Sequence, residues 1–424
     1  MTADLLITNI GQLVTCASGG KPKRGAEMRD VRVIQDCAVA IAGGKFVGVG
    51  EREVVERQFS ADEVFDADGR TVCPGFVDPH THIVFAGDRL DEFELKIKGA
   101  DYLEILAAGG GILSTVSKTR EADEDELFEG GRRRLDQMLR CGTTTAEVKT
   151  GYGLDLETEL KMLRVIERLD REHSVDLVPT FLPAHAVPSE FKDRGDDYVK
   201  LVCDEMLPAA CEWHRASHFS GRVPFFIDVF AEKNAFDIEQ TAKIFSAAAK
   251  LGFSLKAHVD EFTNLGGSSL AIEAGAVSID HLDAISEKEI EILAASATIG
   301  VITPAVNFNF GSSRFADARK MIDSGCAVAI ATDYNPGSAP CPSQPLAMAI
   351  ACRYQNILPA EAFNAATVNA AHALGLGNVT GSVEVGKRAD LLICECDDYR
   401  QMVYEFGGNL VKQTVKCGDM SEFC

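Results

Sequence analysis

The sequence has no long apolar run and no excess of basic residues, and each absence excludes a class of protein. No apolar stretch approaches about 18 residues, so no membrane-spanning helix is predicted. Lysine and arginine together number 42 against 64 aspartates and glutamates, which gives a net charge of −22. Such an acidic chain is not expected to bind nucleic acid or an anionic membrane surface. An anionic substrate would therefore need basic residues close to its binding site.

The sequence also lacks a Cys-x-x-Cys pair and a signal peptide. Its 13 cysteines are odd in number and scattered from Cys16 to Cys424, and the closest two are Cys394 and Cys396. This distribution is typical of free thiols in a reducing compartment. The first residues, MTADLLITNIGQL, contain no basic region followed by a long apolar core. We therefore expect a cytoplasmic protein.

The two ends of the 424-residue chain have a short alternating apolar pattern broken by glycines. In residues 1–70, Leu5–Ile10, Ala38–Ile41 and Phe46–Val49 are typical of strands, with Gly43-Gly44 as a hairpin turn. Residues 381–424 have the same character. We predict that 1–70 and 381–424 form one small β-sandwich domain built from both termini.

The pattern changes in residues 71–380, where eight β-rich runs follow one another with helical patterns between most of them. The runs are Val72–Val77, Thr143–Val148, Leu177–Leu182, Phe225–Phe230, Ser254–His258, Ala276–Asp280, Thr298–Thr303 and Ala327–Thr332. Helices are expected at Ile238–Leu251 and Glu287–Ala295, among others. This alternation predicts an α/β fold, a TIM-like (β/α)8 barrel.

A doubly wound open sheet is the alternative fold. It is disfavoured because no Gly-x-Gly-x-x-Gly motif follows the first strand. Gly109-Gly110-Gly111 lies in the long loop after that strand and is predicted to be a flexible lid segment instead of a phosphate cradle.

Histidines gather at the predicted strand ends. Because catalytic groups of such barrels come from the carboxyl ends of strands, these positions are candidates for chemistry. Five of the nine histidines fall there, whereas His173, His214, His218 and His372 do not. The candidates are His80 and His82 after strand 1, His185 after strand 3, His258 after strand 5, His281 after strand 6 and, in addition, Asp333 after strand 8.

Four of these residues predict a metal site. His80 and His82 point the same way from a strand end, and with His258 and Asp333 they make a nitrogen-rich site that suits zinc or iron. A water bound there would lose its proton near neutral pH and become the nucleophile. No lysine falls at the end of strand 4 to bridge a second ion, so one metal is favoured.

Three residues are predicted to act in catalysis. Asp333 could contact the metal and accept the proton of the water, and Glu261 is placed to carry a proton to a ring nitrogen. His281 could polarise the carbonyl under attack.

Several segments give the chain a family resemblance that covers nearly the whole barrel. They are PGFVDPHTHIVFAGDRLDEFELKIKGADYLEI, GGGILSTVSKTR, GTTTAEVKTGYGLD, TFLPAHAVPSE, LKAHVDEF and ATDYNPGSAP. At these residues the sequence resembles the amidohydrolase superfamily and, within it, the imidazolonepropionases of histidine degradation. One departure is Cys211–Val223, which is longer than the usual family connection before strand 4.

The resemblance implies a hydrolase that opens the cyclic amide of 4-imidazolone-5-propanoate to give N-formimino-L-glutamate. It implies one divalent or trivalent metal ion per chain, zinc or iron, on His80, His82, His258 and Asp333. It also implies a homodimer and a small anionic heterocyclic substrate, with Arg89 as partner of the propionate carboxylate. The implied substrate contacts are Arg89, Tyr152, His185, Glu261, Asn335, Gly337 and Ser338.

Two other functions fit parts of the pattern. An aminohydrolase acting on guanine, cytosine or another heterocycle shares the metal residues and Glu261, but Arg89 with Tyr152 favours an anionic substrate. A catalytically inactive scaffold of the same fold would tend to lose ligands, and all four are present here. Arg89 could instead form a surface ion pair with Asp88 or Asp91.

Overall fold

The computed structural model describes residues 1–99 and 110–420, and the strands in these ranges form two sheets. The strands are β1 (Thr2–Val14), β2 (Val33–Ala42), β3 (Lys45–Glu51), β4 (Ser60–Asp66), β5 (Thr71–Pro74), β6 (Phe76–Asp78), β7 (Thr143–Lys149), β8 (Asp176–Ala184), β9 (Phe226–Ala231), β10 (Ser254–Val259), β11 (Ser278–His281), β12 (Ile299–Ile302), β13 (Val328–Ile330), β14 (Leu391–Cys394) and β15 (Val411–Val415).

Helices cover both the barrel and one face of the smaller sheet. They are α1 (Arg52–Gln58), α2 (Leu90–Ile97), α3 (Ile112–Glu121), α4 (Glu124–Arg140), α5 (Leu156–Glu172), α6 (Gly195–Leu201), α7 (Leu207–Ala216), α8 (Ile238–Leu251), α9 (Gly267–Glu273), α10 (Glu287–Ala295), α11 (Pro304–Asn309), α12 (Ala318–Asp323), α13 (Gln344–Tyr354), α14 (Pro359–Ala366), α15 (Val368–Ala373) and α16 (Gln401–Tyr404). Among these described helices, none is long and apolar enough to cross a membrane.

Strands β6 to β13 form the predicted barrel. Each is parallel to its neighbour, in chain order. The first and last strands meet through Gln344, whose side-chain amide donates to the carbonyls of Val77 at 3.0 Å and Ile330 at 2.8 Å. The Asp333 N–H donates to the His80 carbonyl at 3.1 Å. The α/β barrel prediction is confirmed, and its closure brings Asp333 beside His80.

Local sequence explains why these elements begin and end where they do. Strand β12 is buried along its whole length and is purely apolar, as expected of a parallel strand covered on both faces. Helix α8 begins at a capping box between Asp237 and Gln240 and ends at Gly252, whose φ is 90°. The bounds predicted for α8 and α10 match the structure.

Both chain ends contribute to the second sheet, as predicted. Its strand order is β15-β14-β5-β1-β2-β3, with β4 also paired to β1, and parallel and antiparallel pairs are mixed. Apolar residues of one face, including Ile7, Leu391 and Val415, pack into a single core. Helix α1 packs Val55 against the other face. Every cysteine in the described part of the chain is a free thiol.

The prediction of one strand over Val72–Val77 is wrong, because the run divides at Gly75. Strand β5 pairs with β1 and β14 in the terminal sheet, whereas β6 pairs with β7 in the barrel. The two sheets come so close here that a Cβ on Gly75 would lie 2.3 Å from Thr144 Oγ1. The division of the chain at residues 70/71 and 380/381 stays a prediction.

Candidate metal centre and active site

A cavity of about 560 Å³ opens at the carboxyl ends of the barrel strands. It is lined by most of the residues singled out in the sequence, and His80 lies beneath them, fully buried. The predicted residues that line it are His82, Arg89, Tyr152, His185, His258, Glu261, His281, Asp333, Asn335, Gly337 and Ser338. The structure thus brings the predicted site residues together, while their individual roles stay predictions.

Three imidazole nitrogens converge at the floor of the cavity. His82 Nε2 lies 3.2 Å from His80 Nε2 and 3.3 Å from His258 Nε2. One of the other ring nitrogens is hydrogen-bonded: His80 Nδ1 lies 2.7 Å from Asp280 Oδ2. His258 Nδ1 lies 3.0 Å from Asp228 Oδ2, but the two groups are not aligned for a hydrogen bond. A carboxylate hydrogen-bonded at Nδ1 keeps the ring proton there.

The converging nitrogens fit a metal ion. With a proton on Nδ1, His80 presents the lone pair of its Nε2 atom toward His82 Nε2, and His258 Nε2 lies in the same group of nitrogens. A cation would stabilise this arrangement. Burial, followed by the charge of nearby groups, lowers the pKa of His80 and of His82 well below the usual value, so both rings are neutral and able to donate a lone pair.

Asp333 supplies an oxygen to the same place. Its Oδ1 lies 3.5 Å from both His80 Nε2 and His82 Nε2, and it is a buried atom with no hydrogen-bond donor. The residue sits just after β13 with φ 52°, a left-handed conformation that few non-glycine residues adopt. His281 lies close enough to join a donor group with His80 and Asp333. A nitrogen-rich site with one carboxylate suits zinc or iron.

Metal binding is expected to release a proton from Asp333 in a pH-dependent way. Burial raises the pKa of Asp333 to about 7 in the metal-free protein, so the carboxyl is mostly protonated at pH 6 and ionised at pH 8.5. A bound cation would displace that proton, so we expect Zn²⁺ binding to release about one proton at pH 6, where a metal-bound water with a pKa near 7 still keeps most of its own protons. Zinc titrations by calorimetry in two buffers of different ionisation enthalpy would measure it.

The matched control for this titration is Asp333→Asn, which carries no carboxyl proton and should release almost none at pH 6. Equal proton release by the unaltered protein and by Asp333→Asn at pH 6 would contradict the prediction.

Glu261 and His281 face each other across the cavity. His281 Nε2 lies 4.0 Å from Glu261 Oε2 and has no hydrogen-bond partner, while Nδ1 lies 3.1 Å from the Thr303 hydroxyl. Burial, and then the charge of Asp333, raises the pKa of Glu261 well above its usual value. A carboxyl that holds its proton near neutral pH can act as a general acid.

His185 and Tyr152 form an aromatic wall beside the histidine cluster. The His185 ring stacks on His82 with centroids 5.0 Å apart and planes 16° apart, and Tyr152 lies 5.4 Å from His185. His185 Nδ1 donates to the Gly151 carbonyl at 3.0 Å. Burial lowers the pKa of His185 to about 3, so its ring is neutral and Nε2 remains an acceptor.

Arg89 is bound by Glu92, a residue that the sequence did not indicate as its partner. Instead of pairing with Asp88 or Asp91, it donates from Nε and Nη2 to the two carboxylate oxygens of Glu92, at 2.7 and 2.6 Å. Glu92 does not use the third nitrogen, Nη1, which lies next to Gly337. A Cβ atom on Gly337 would lie 2.0 Å from Nη1. Glu92 and Gly337 therefore fix the guanidinium at the cavity wall.

Glu92 contacts two further groups besides Arg89. It also binds Lys96 Nζ at 2.7 Å and accepts from the Gly111 N–H at 2.9 Å. Burial alone would raise its pKa, but Arg89, Lys96 and this N–H lower the pKa to about 2. Of the predicted lid glycines, Gly109 lies outside the described residues, and Gly111 is anchored by this bond.

Asn335 organises the loop that follows Asp333. Its Oδ1 accepts from the N–H groups of Gly337 and Ser338, both at 2.8 Å, and its Nδ2 donates to the Asp333 carbonyl and the Ser338 hydroxyl, both at 2.7 Å. Every polar atom of the amide is thus used within the loop, which makes Asn335 a support for this wall of the cavity.

Sequence reasoning missed some of the residues that complete the site. Lys96 adds a charge to the cavity wall, and Phe230, Phe262 and Phe310 give the wall an apolar part. Glu92 lies behind this wall, paired with Arg89 and Lys96. Asp228 and Asp280 lie behind the histidines. The available signal was a single charged residue inside an otherwise apolar strand, as in Phe226–Ala231.

Comparison with known proteins places this geometry in a family. The amidohydrolase family matches residues 71–420. An imidazolonepropionase from Chloroflexus aggregans is 54% identical over 418 residues, which cover 98% of this chain and 98% of the relative. Another, from Herpetosiphon aurantiacus, is 48% identical over 416 residues, covering 98% and 96%. The chain belongs to the amidohydrolase family, among the imidazolonepropionases.

Two solved structures share its fold. An adenosine deaminase from Xanthomonas campestris with bound zinc superposes with a TM-score of 0.71 at 19% identity, covering 99% of this chain and 93% of that one. Guanine deaminase from E. coli has a TM-score of 0.69 at 18% identity, covering 98% of both chains. At such identities the likeness shows the fold alone.

Proposed function

We propose that this amidohydrolase is an imidazolonepropionase, which adds water across the ring amide C–N bond of 4-imidazolone-5-propanoate and yields N-formimino-L-glutamate. The observation that carries the proposal is one cavity with a metal-binding set of imidazoles on its floor and a fixed guanidinium on its wall. Full-length identity to imidazolonepropionases supports it.

One metal ion per chain, zinc or iron, would be held by His80, His82, His258 and Asp333. When bound, the ion supplies a water of lowered pKa and polarises the amide carbonyl. The convergence of three Nε2 atoms and one orphaned carboxylate oxygen supports this assignment.

The protein's own residues bind and orient the substrate. Arg89 pairs with the propionate carboxylate through the guanidinium edge that Glu92 leaves free. Tyr152 and His185 pack against the ring, and the loop of Asn335, Gly337 and Ser338 closes the carboxylate end. This wall supplies the local positive charge that the acidic chain otherwise lacks.

Asp333 and Glu261 transfer protons, and His281 donates a hydrogen bond. Asp333 accepts a proton from the attacking water, and Glu261 delivers one to the ring nitrogen as the C–N bond breaks. His281, whose Nε2 is unpartnered, donates to the carbonyl oxygen as it gains negative charge. The homodimer and the cytoplasmic location stay predictions.

An activity assay of metal-free and metal-loaded protein tests the proposal. We expect the loaded protein to consume imidazolone propionate, with no ammonia released in that step, and to leave guanine and cytosine unchanged. Turnover of guanine or cytosine with ammonia release would instead indicate an aminohydrolase. Well under one metal per chain, with no activity after addition of Zn²⁺ or Fe²⁺, would indicate an inactive scaffold.

A further inference from the structure

A cluster of buried charged residues lies behind the histidines, and only two of its members, Asp228 and Asp280, have been given a role so far. It contains two lysines and three carboxylates, and the side chains of all five are 0% exposed. Its members are Lys149, Lys256, Glu147, Asp228 and Asp280. Buried charges are costly unless each is paired, so such a cluster requires a structural or functional reason.

Lys149 is the centre of this cluster. Its Nζ lies 2.7 Å from Asp228 Oδ2, 2.9 Å from Glu147 Oε1 and 3.5 Å from Asp280 Oδ2. One ammonium group therefore holds together three carboxylates that would otherwise repel one another.

The same carboxylate oxygens that Lys149 binds also contact two rings, by a hydrogen bond to His80 and by a close ion-pair contact with His258. Asp228 Oδ2 is the atom next to His258 Nδ1, and Asp280 Oδ2 is the atom next to His80 Nδ1. Asp228 Oδ1 accepts from the His258 backbone N–H at 3.1 Å, and Asp280 Oδ1 accepts from the Ser278 hydroxyl at 2.7 Å. Each carboxylate thus has one oxygen fixed by the backbone or a hydroxyl and the other shared between an imidazole and Lys149.

We infer that Lys149 is a positioning residue of the metal centre, one that fixes the ring orientation of both His80 and His258 through Asp280 and Asp228. The inference rests on the metal centre of the proposed function. Outer partners of ligating histidines typically change metal affinity by about 10- to 100-fold. Because Lys149 acts on two of them at once, its loss disturbs two of the three converging nitrogens.

Lys256 provides a matched control within the cluster. It is equally buried and binds Glu147 Oε2 at 2.6 Å and the Pro79 carbonyl at 2.9 Å. Its distance to Asp280 Oδ2 is 4.0 Å, beyond a hydrogen bond. Replacing Lys256 by Met therefore removes a buried ammonium from the same cluster while both carboxylates that orient the histidines keep Lys149.

The test compares Zn²⁺ affinity and the visible spectrum of the Co²⁺ form for the full-length protein, Lys149→Met and Lys256→Met. We expect Lys149→Met to weaken Zn²⁺ binding by about tenfold or more and to alter the Co²⁺ spectrum. Lys256→Met should keep a Zn²⁺ affinity and a Co²⁺ spectrum close to those of the unaltered protein. We expect this difference even if urea unfolding shows a similar loss of stability in the two variants.

Asp280→Asn, a nearly isosteric change that leaves Lys149 paired with Asp228 and Glu147, carries the test if Lys149→Met does not fold. Its Zn²⁺ affinity should fall by about tenfold as well. Unaltered affinity and spectrum in Lys149→Met, or in Asp280→Asn in its place, would overturn the inference, as would an equal loss in Lys256→Met. Absence of Zn²⁺ binding in the unaltered protein would instead contradict the proposed metal centre.

Discussion

Replacing Glu261 by Gln is expected to lower kcat for imidazolone propionate by about 10²- to 10⁴-fold, the usual contribution of a positioned general acid or base. Glutamine keeps the size of the side chain and removes the proton that leaves with the ring nitrogen. Steady-state kinetics of the metal-loaded variant would measure the change.

Metal content is the control for this variant. Glu261 is not in either group of residues that could hold a metal, so Glu261→Gln should bind the ion as the unaltered protein does. A variant with full metal content and undiminished kcat would remove Glu261 from the mechanism.

Replacing Arg89 by Met is expected to raise KM for imidazolone propionate by roughly 10- to 150-fold, with a smaller effect on kcat. A hydrogen bond to a charged group contributes about 1.5–3 kcal/mol, which corresponds to that range. A neutral ester of the substrate should bind the variant and the unaltered protein alike, because it offers no carboxylate to Arg89.

Gly337→Ala gives an independent route to the same result. The new Cβ would lie 2.0 Å from Arg89 Nη1 and 2.5 Å from its Cζ, so the guanidinium must move. We expect Gly337→Ala to raise KM in the otherwise unaltered protein. In the Arg89→Met variant the same substitution should raise KM little further, and a double-mutant cycle measures this difference directly. Additive effects of the two substitutions would show that Gly337 acts independently of Arg89. Gly408→Ala, at an open position, is the control.

The barrel and the histidine cluster could be predicted from sequence because both follow from simple periodicities. Strands buried on two faces are nearly continuous apolar runs, and each histidine of the cluster lies at the end of such a run or a few residues beyond it. His258 and His281 are the clearest examples, since each lies in or at the end of its strand. Their convergence then follows from the parallel arrangement alone.

The break at Gly75 could not be predicted, because both halves of the run are equally apolar. What separates β5 from β6 is the choice of partner strand, a tertiary property that a local pattern does not contain. The Arg89–Glu92 pair was hidden for a related reason. Asp88, Asp91 and Glu92 all lie within reach in sequence, and only the start of α2 decides which carboxylate turns toward the guanidinium.

The break at Gly75 also makes the approach to the histidines depend on a distant part of the sequence. His80 and His82 follow soon after β6, and β6 is joined by one residue to β5, which lies between β1 and β14. A chain truncated before Leu391–Cys394 would therefore leave β5 without one of its two neighbouring strands. Damage more than 300 residues away in sequence would then be felt at the segment that leads to His80 and His82.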